Sequence, residues 1–434
     1  MRRYISVLAA ALIVSVSLMT SVHADDSAPA DLKSVCRMAL QKNPSLEGAR
    51  ASTSMSGAAL DKARGAMLPS VTLKSSYMYV SKATYFGTTP ILQNDTLIHR
   101  AELLQPIFTG GQMQASAKAA QWGLKASTSQ ETAMKDQLIT EVTAAYYRAR
   151  QAVELVAVAE KSVSHLEAGQ RDAVKLFDAG TVIKADVLRA EVALASAREQ
   201  LIKARNIQAQ TVAYLKTTIG LSQDESLDIM PPGTDDLSID SDSAPDRKRP
   251  EVEAAEYSVK SAESQLRAAY GAAQPSLYTM LDYENQPVGA QFPRLTNTYG
   301  IGVIARLTLF DGGQTRAAVN EAKASLAKAR ADLKSVNHAV ELQRESAKLD
   351  LISARSRVEA LTTQVASAEE SFRVIEIGYR EGVNVLTDVL SAESMLTAAR
   401  TSRLQALYDL RVAEVVMLRA KGALDSIWEG GDKK

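Results

Sequence analysis

The chain is written twice, and this constrains its fold more than any single motif. Gly180, Asp186, Val187, Leu188, Ala190, Glu191, Leu194, Ala197, Arg198 and Gly220 each recur 202 positions later, at Gly382, Asp388, Val389, Leu390, Ala392, Glu393, Leu396, Ala399, Arg400 and Gly422. Upstream the offset becomes 206: Pro44, Leu60, Gly65, Pro69 and Ser70 match Pro250, Leu266, Gly271, Pro275 and Ser276. The difference places a loop of variable length between Pro69 and Phe108. Chance likeness between alanine-rich helices would not hold glycine, proline and aspartate in register. Each copy is a structural unit.

Within each copy the order reads helix, strand, loop, strand, long helix, tight turn, helix. The strands fall at Ser70 to Ser81, Leu97 to Phe108, Ser276 to Asn285 and Asn297 to Phe310. In the last, Tyr299, Ile301, Val303, Ala305, Leu307 and Leu309 alternate with Gly300, Gly302, Ile304, Arg306 and Thr308, the period of two expected of a strand. About 11 residues is what a tilted strand needs to cross a bilayer. After each hairpin comes a long stretch without proline, Met113 to Ala179 and Thr315 to Arg380. At 1.5 Å per residue each makes one helix about 100 Å long, against a radius of gyration of about 22 Å for a compact globule of this size. The molecule is expected to be elongated.

Val319, Ala322, Leu326, Ala329, Leu333, Val336 and Val340 step by three and four, the seam of a coiled coil. The seam resumes at Leu351, Ala354, Val358, Leu361, Val365 and Ala368, displaced as in a stutter that relaxes the supercoil. Ala149, Ala152, Val156, Ala159, Val163 and Leu166 give the first copy's version. The fold class is therefore mainly α with a small β part: duplicated long helical coiled-coil hairpins plus four strands per chain.

The expected organisation runs as follows. Residues 1–24 read as a secretory signal peptide, with Arg2 and Arg3 before an apolar run and Val22-His23-Ala24 at its end. Residues 25–220 form the first repeat, with a hairpin at 70–108, a long helix at 113–179 and a return helix at 183–219. Residues 221–249, with Pro231-Pro232-Gly233, are a linker. Residues 250–424 form the second repeat, with a hairpin at 276–310, a long helix at 314–380 and a return helix at 384–421; 425–434 are a tail.

The full chain balances 50 basic against 50 acidic residues, a neutrality that argues against nucleic acid as a partner. A single cysteine, Cys36, cannot form an internal disulfide and reads as core packing. Past the leader no apolar run is long enough for a membrane helix, so entry into a membrane falls to the strands. Four strands cannot close a barrel, and an open edge cannot lie in lipid with its N–H and C=O groups unpaired. The strands belong to a soluble sheet or to a barrel shared among chains. Gly110-Gly111 and Gly312-Gly313 supply the free backbone where strand turns into helix. Arg306 and Lys74 should face a lumen, since charge toward lipid costs about 2–4 kcal/mol at the midplane.

"ALQKNPSL" near the start, "IFTGGQ" and "LFDGGQ" after the second strand of each copy, and "GYREGVNVLTDVLSAE" near the end resemble the TolC-like outer-membrane efflux protein family, over essentially the whole mature chain. The resemblance implies a homotrimer in the outer membrane of a Gram-negative bacterium, four strands per chain making one 12-stranded barrel in outer-membrane lipid, with the helices continuing as a periplasmic cylinder. It implies a passive exit duct in a tripartite efflux or type I secretion system, joined through a periplasmic adaptor (membrane fusion) protein to an inner-membrane pump or ABC exporter. It also makes the turns at Gly180 and Gly382 the periplasmic entrance, where each glycine supplies the left-handed residue of a helix C-cap. Asp186 and Asp388 follow in the first turn of the next helices, where a carboxylate suits the dipole, with capping and gating both open as roles. Tyr379 matches the family's entrance tyrosine, and its hydroxyl is expected to bond Asp186 in the closed state. The family often has a basic residue where this chain has Asn384, and a second entrance carboxylate where it has Ser391.

No G-x-S-x-G, phosphate-cradling loop or H-E-x-x-H occurs, so no enzyme is expected. His99, His165 and His338 have no metal-site spacing, and neither metal nor cofactor is expected. The competing readings are a periplasmic coiled-coil adaptor, which should carry a compact β-rich domain, and a structural spacer, which needs no membrane-length strands.

Overall fold

The computed structural model describes residues 30–424 except 83, 87–88, 93–94, 230–241 and 288–294. The leader expected at 1–24 and the tail at 425–434 lie outside the described residues, as does much of the linker.

Helix α1 (Leu32–Lys42) is capped by Asp31, whose Oδ1 accepts from the Ser34 amide at 2.8 Å. Helix α2 (Pro44–Gly65) follows, with Asn43 as N-cap and proline at its first position, where no amide is needed. Next come β1 (Ser70–Tyr79), the small pair β2 (Thr84–Phe86) and β3 (Thr89–Leu92), and β4 (Asp95–Thr109). The long helix α3 (Gln112–Asp178) and the return helix α4 (Lys184–Ile219) complete the first copy. The second comprises α5 (Pro250–Gly271), β5 (Ser276–Pro287), β6 (Leu295–Arg306), α6 (Gln314–Arg380) and α7 (Leu386–Ala420). No described helix is long and apolar enough to cross a membrane.

The duplication holds in the register of the hairpins and in an ion pair across each helical hairpin. Hairpin β1–β4 pairs Ser70 with Leu104 and Tyr79 with Asp95; hairpin β5–β6 pairs Ser276 with Arg306 and Asn285 with Asn297, the same register under offsets of 206 and 202. Arg198 bonds Glu167 across α3–α4 at 2.8 Å, and the counterparts Arg400 and Glu369 meet across α6–α7 at 2.9 Å.

The structure differs from the sequence expectation in several places. The first copy opens with two helices, because Asn43 and Pro44 stop α1 and start α2. The variable loop of the first hairpin carries the pair β2–β3. And β6 ends at Arg306, short of the expected Phe310, because its partner β5 begins at Ser276, opposite Arg306. The return helices also start later than 183 and 384, at Lys184 and Leu386, with Ile183 and Val385 extended as their N-caps.

The largest core sits at the waist of the long helices. There α1 (Leu32, Val35, Cys36) packs on α3 (Val142, Ala145, Tyr146) and on the ends of α4 and α7 (Leu215, Leu418). Burial pushes the Cys36 thiol up to about 12, which keeps it inert.

Candidate functional site

The four strands form one antiparallel sheet in the order β1-β4-β5-β6, so β1 and β6 are both free edges. Residues opposite one another share a face. One face carries the rows Val71–Leu103–Leu281–Ile301 and Leu73–Ala101–Tyr283–Tyr299. The other carries Lys74–Arg100–Glu284–Thr298 and Thr72–Glu102–Asp282–Gly300. The apolar face is bare, with Leu73 76%, Ile301 79% and Tyr299 86% exposed. Tyr77, Tyr79, Tyr283 and Tyr299 gather in its half farther from the helices, as aromatics do at a membrane interface. On the polar face Arg100 Nε donates to Glu284 Oε2 at 2.9 Å across neighbouring strands. Lys74 and Arg306 both lie on this polar face, Arg306 opposite Ser276.

The two corners differ. Gly110 (φ 62°) and Gly111 (φ 79°) are left-handed, and a Cβ on Gly110 would lie 2.4 Å from the Gly271 carbonyl of α5. Pro106, which cannot donate to the ladder, stands at the β4 bulge. Gly312 (φ 66°) and Gly313 (φ 90°) repeat the backbone turn with open space around them. There Asp311 caps α6 alone, accepting from the Thr315 amide at 2.8 Å and the Gly313 amide at 2.9 Å.

At the opposite end both helical turns close alike. Gly180 (φ 74°) donates to Phe177 O at 2.9 Å and Thr181 to Leu176 O at 2.9 Å; Gly382 (φ 78°) donates to Tyr379 O at 3.1 Å and Val383 to Gly378 O at 2.8 Å. These are Schellman closures that only a left-handed residue permits cheaply. The carboxylates behind them diverge. Asp186 accepts from Arg189 Nη1 at 3.0 Å, one turn along its own helix. The counterpart of Arg189 is Ser391, and Asp388 instead reaches back toward the Val385 amide at 3.5 Å. Asn384 folds inward and donates to Ile375 O at 3.3 Å, so at this position an internal cap replaces a free cation.

Tyr379 sits where the two copies meet, in a small cluster with Ala173 of α3, Ala190 of α4 and Leu386 of α7. Its hydroxyl is buried without a hydrogen-bond partner. Burial raises its pKa, with the Asp186 and Asp172 charges adding to the rise. The expected bond to Asp186 is thus not formed: Asp186 is near enough to be felt but is held by Arg189.

A second contact joins the copies a few turns from the tip and was not legible in the sequence. Glu393, 5% exposed, lies 3.3 Å from His165 Nδ1 and accepts from Thr397 Oγ1 at 3.2 Å. His165 stacks on Phe372 with ring centroids 5.6 Å apart. The repeat concealed it: Glu191 and Glu393 are the same residue in both copies, yet Glu191 is exposed. Nearby, α4 and α7 stand apart over α3, leaving a groove of about 620 Å³ lined by small residues such as Ala159, Ser162, Ala197 and Ala398. Among the described residues no cluster of His, Cys, Asp or Glu could hold a metal ion.

The family profile described as outer membrane efflux protein matches residues 35–221 and 246–423, one segment for each copy. The chain is 25% identical over 329 residues to the outer membrane efflux protein BepC of Brucella suis, covering 74% of this chain and 71% of that one. It is 25% identical over 404 residues to the protein CyaE of Bordetella pertussis, covering 91% and 84%. The solved outer-membrane channel OprN superposes with a TM-score of 0.80 at 20% identity, covering 90% of each chain.

Proposed function

We propose that this chain, which belongs to the outer membrane efflux protein family, is the outer-membrane exit duct of a tripartite efflux or type I secretion system. It works as a homotrimer coupled through a periplasmic adaptor to an inner-membrane pump or ABC exporter. The observation that carries the reading is the open sheet: one face bare and apolar, the other polar and carrying the Arg100–Glu284 ion pair, and both edges unpaired. Such a sheet is stable in lipid only as part of a closed ring with the polar face inward. Four strands are too few, eight is about the least known, and three chains supply twelve.

The duct makes and breaks no bond. It supplies a wet path across the membrane, and the free energy comes from the inner-membrane partner. The corners at Gly110, Gly111, Gly312 and Gly313 carry the barrel into the helical tube. The tip at Gly180, Asp186, Tyr379, Gly382 and Asp388 is the entrance. Opening separates the α3–α4 hairpin from α6–α7, at the cost of the Tyr379 cluster and the His165–Glu393 contact. The adaptor must bind the opened arrangement better than the closed one by at least that cost.

A spacer or an adaptor would have no use for a bare four-stranded face. The test is the native mass of the detergent-extracted protein together with its membrane fraction. A trimer in the outer-membrane fraction is expected; a soluble monomer would overturn the reading.

A further inference from the structure

The chain as a whole balances its charges, but the stretches next to the sheet do not. The four that lead into or out of it on the helical side, 52–69, 110–127, 258–275 and 312–329, together hold nine lysines and arginines against three acids, Asp61, Glu263 and Glu321. Six of the nine form stripes. Lys118 and Lys125 on α3, Lys260 and Arg267 on α5, and Arg316 and Lys323 on α6 are each seven residues apart, so each pair shares a helix face. All six are exposed, and among the described residues none of them is in an ion pair. Farther down the helices the arginines find acids, as Arg198 finds Glu167 and Arg400 finds Glu369.

The stripes converge on aromatic rings. Trp122 of α3 stacks on Tyr257 of α5 with centroids 5.7 Å apart. The ammonium groups of Lys118, Lys125 and Lys260 lie 5.0, 4.7 and 4.9 Å from the centre of the Trp122 ring, and that of Lys323 lies 5.9 Å from the centre of Tyr270. Each contact is a cation–π attraction, yet three ammonium groups gathered about one indole repel one another. In a closed ring this face is the outer one, because the neighbours of a helix subtend less than half a turn on the lumen side. Ala119 O accepts from Ser261 of α5 at 2.9 Å and Ser127 Oγ meets Ser56 Oγ of α2 at 2.7 Å. At 3.6 residues per turn those two directions are about 80° apart. Gly123 lies between them, whereas Lys118 and Lys125 point the other way.

We propose that this basic collar seats acidic phospholipid headgroups of the membrane's periplasmic leaflet. Phosphate oxygens lie among the ammonium groups of Lys118, Lys125 and Lys260, and the Trp122–Tyr257 pair packs against the carbon skeleton of the headgroup. Depth selects this occupant. The bare apolar face of the sheet fills the hydrocarbon, so the helices begin at headgroup level, a layer about 5–8 Å thick in each leaflet. Arg316, Arg267 and Lys118 stand two, four and six residues from the sheet-side ends of their helices, or about 3–9 Å at 1.5 Å per residue. Lys323, Lys260 and Lys125 form a lower tier at about 14–20 Å, from which long stems reach upward along the wall. An anion held between the tiers relieves the repulsion that the protein leaves unanswered. The duplication does not explain the stripes, since the counterparts of Lys118, Lys125, Arg316 and Lys323 are Asn320, Ala327, Gln114 and Gln121.

This inference rests on the outer-membrane duct reading, and lipid retention separates the two. The purified protein is equilibrated in neutral detergent with equal amounts of phosphatidylglycerol and phosphatidylcholine of the same acyl chains. The phospholipid that stays with it through gel filtration is measured by mass spectrometry. The wild type is expected to retain phosphatidylglycerol in at least about tenfold excess, and the combined variant Lys118→Gln, Lys125→Gln, Lys260→Gln to lose most of that excess. Lys161→Gln, Lys334→Gln, Lys348→Gln removes as much charge farther down the helices and should keep it. In a Trp428→Phe background Trp122 is the only indole, and its emission should shift on titration with phosphatidylglycerol but not with phosphatidylcholine. Equal retention of the two lipids by the wild type, an equal loss in the control variant, or an unmoved Trp122 emission overturns the seat. Displacement of the lipid by inorganic phosphate at matched ionic strength assigns the site to free phosphate and overturns it too. In each of these cases a trimeric native mass keeps the duct, whereas a soluble monomer overturns both.

Discussion

The two copies share a backbone but seal their waists by different physics. In the first, α1 lays Leu32, Val35 and Cys36 over α3, and Val142 beneath it is fully buried. In the second no helix among the described residues occupies that place. Residues 242–249 run alongside α6 and hold it with charge: Arg344 with Asp246, Arg355 with Asp242 at 2.8 Å, and Arg249 with Gln343 at 2.7 Å. Val142 and Arg344 are the same position of the repeat. Duplication preserves the path of the chain and leaves its cohesion free to diverge: one waist is covered by an apolar helix, while the other keeps a small apolar cluster of Ala347, Leu351, Met417 and Ala420 between α6 and α7 and is covered through exposed ion pairs that salt screens.

Exchanging these residues is the strongest way to break the comparison. Val142→Arg places an unpaired guanidinium under α1 and should cost about 3–5 kcal/mol, seen as early loss of helical circular dichroism on heating. Arg344→Val removes one exposed pair and should cost no more than about 1 kcal/mol. Equal shifts would mean that the waists are not different in kind.

The two glycine junctions sharpen it further. A Cβ at Gly271 would lie 2.7 Å from the Gln112 amide, so Gly271→Ala should destabilise the chain itself by about 1–3 kcal/mol. Gly65→Ala meets nothing within its own chain and should favour α2 by about 0.5–1 kcal/mol, so thermal melts of the two variants should shift in opposite directions.

Glu393 and Glu191 come next. Glu393→Ala strands His165 and Thr397 and should cost about 1–2 kcal/mol; Glu191→Ala should stay within about 0.5 kcal/mol. Thermal melts of the two variants side by side decide it. The smallest effect is expected at Tyr379. Its hydroxyl has no partner to lose, so Tyr379→Phe should change stability by less than about 0.5 kcal/mol and leave single-channel conductance as it was. Increased leakage would reinstate the bond to Asp186.

What the sequence made legible follows from what a repeat preserves. Strand pairing, helix length and turn closure depend on local pattern and on glycines whose left-handed backbone no other residue adopts cheaply, so Gly180 and Gly382 could be read directly. The membrane face was legible in the alternation from Tyr299 to Val303. What stayed hidden arises where identical residues meet different neighbours. Nothing local separates Glu393 from Glu191; the distinction is that α3 presents His165 to one of them. Tyr379 misled for the same reason, since the competing partner of Asp186 is Arg189, one turn away on the same helix and absent from the other copy. The early end of β6 has the same origin, because a strand is only as long as the partner beside it.

The two free edges of the sheet have a consequence for how the molecule is built up. A single chain has two unpaired edges, one of each kind. Joining a second chain consumes two and leaves two, and a third added in line again leaves two. No intermediate is less sticky than the monomer. Relief comes only in the step that closes the ring, when both remaining edges vanish together. Partial assemblies are therefore not resting places but templates for further addition, and the geometry of closure, rather than any one contact, sets where growth stops.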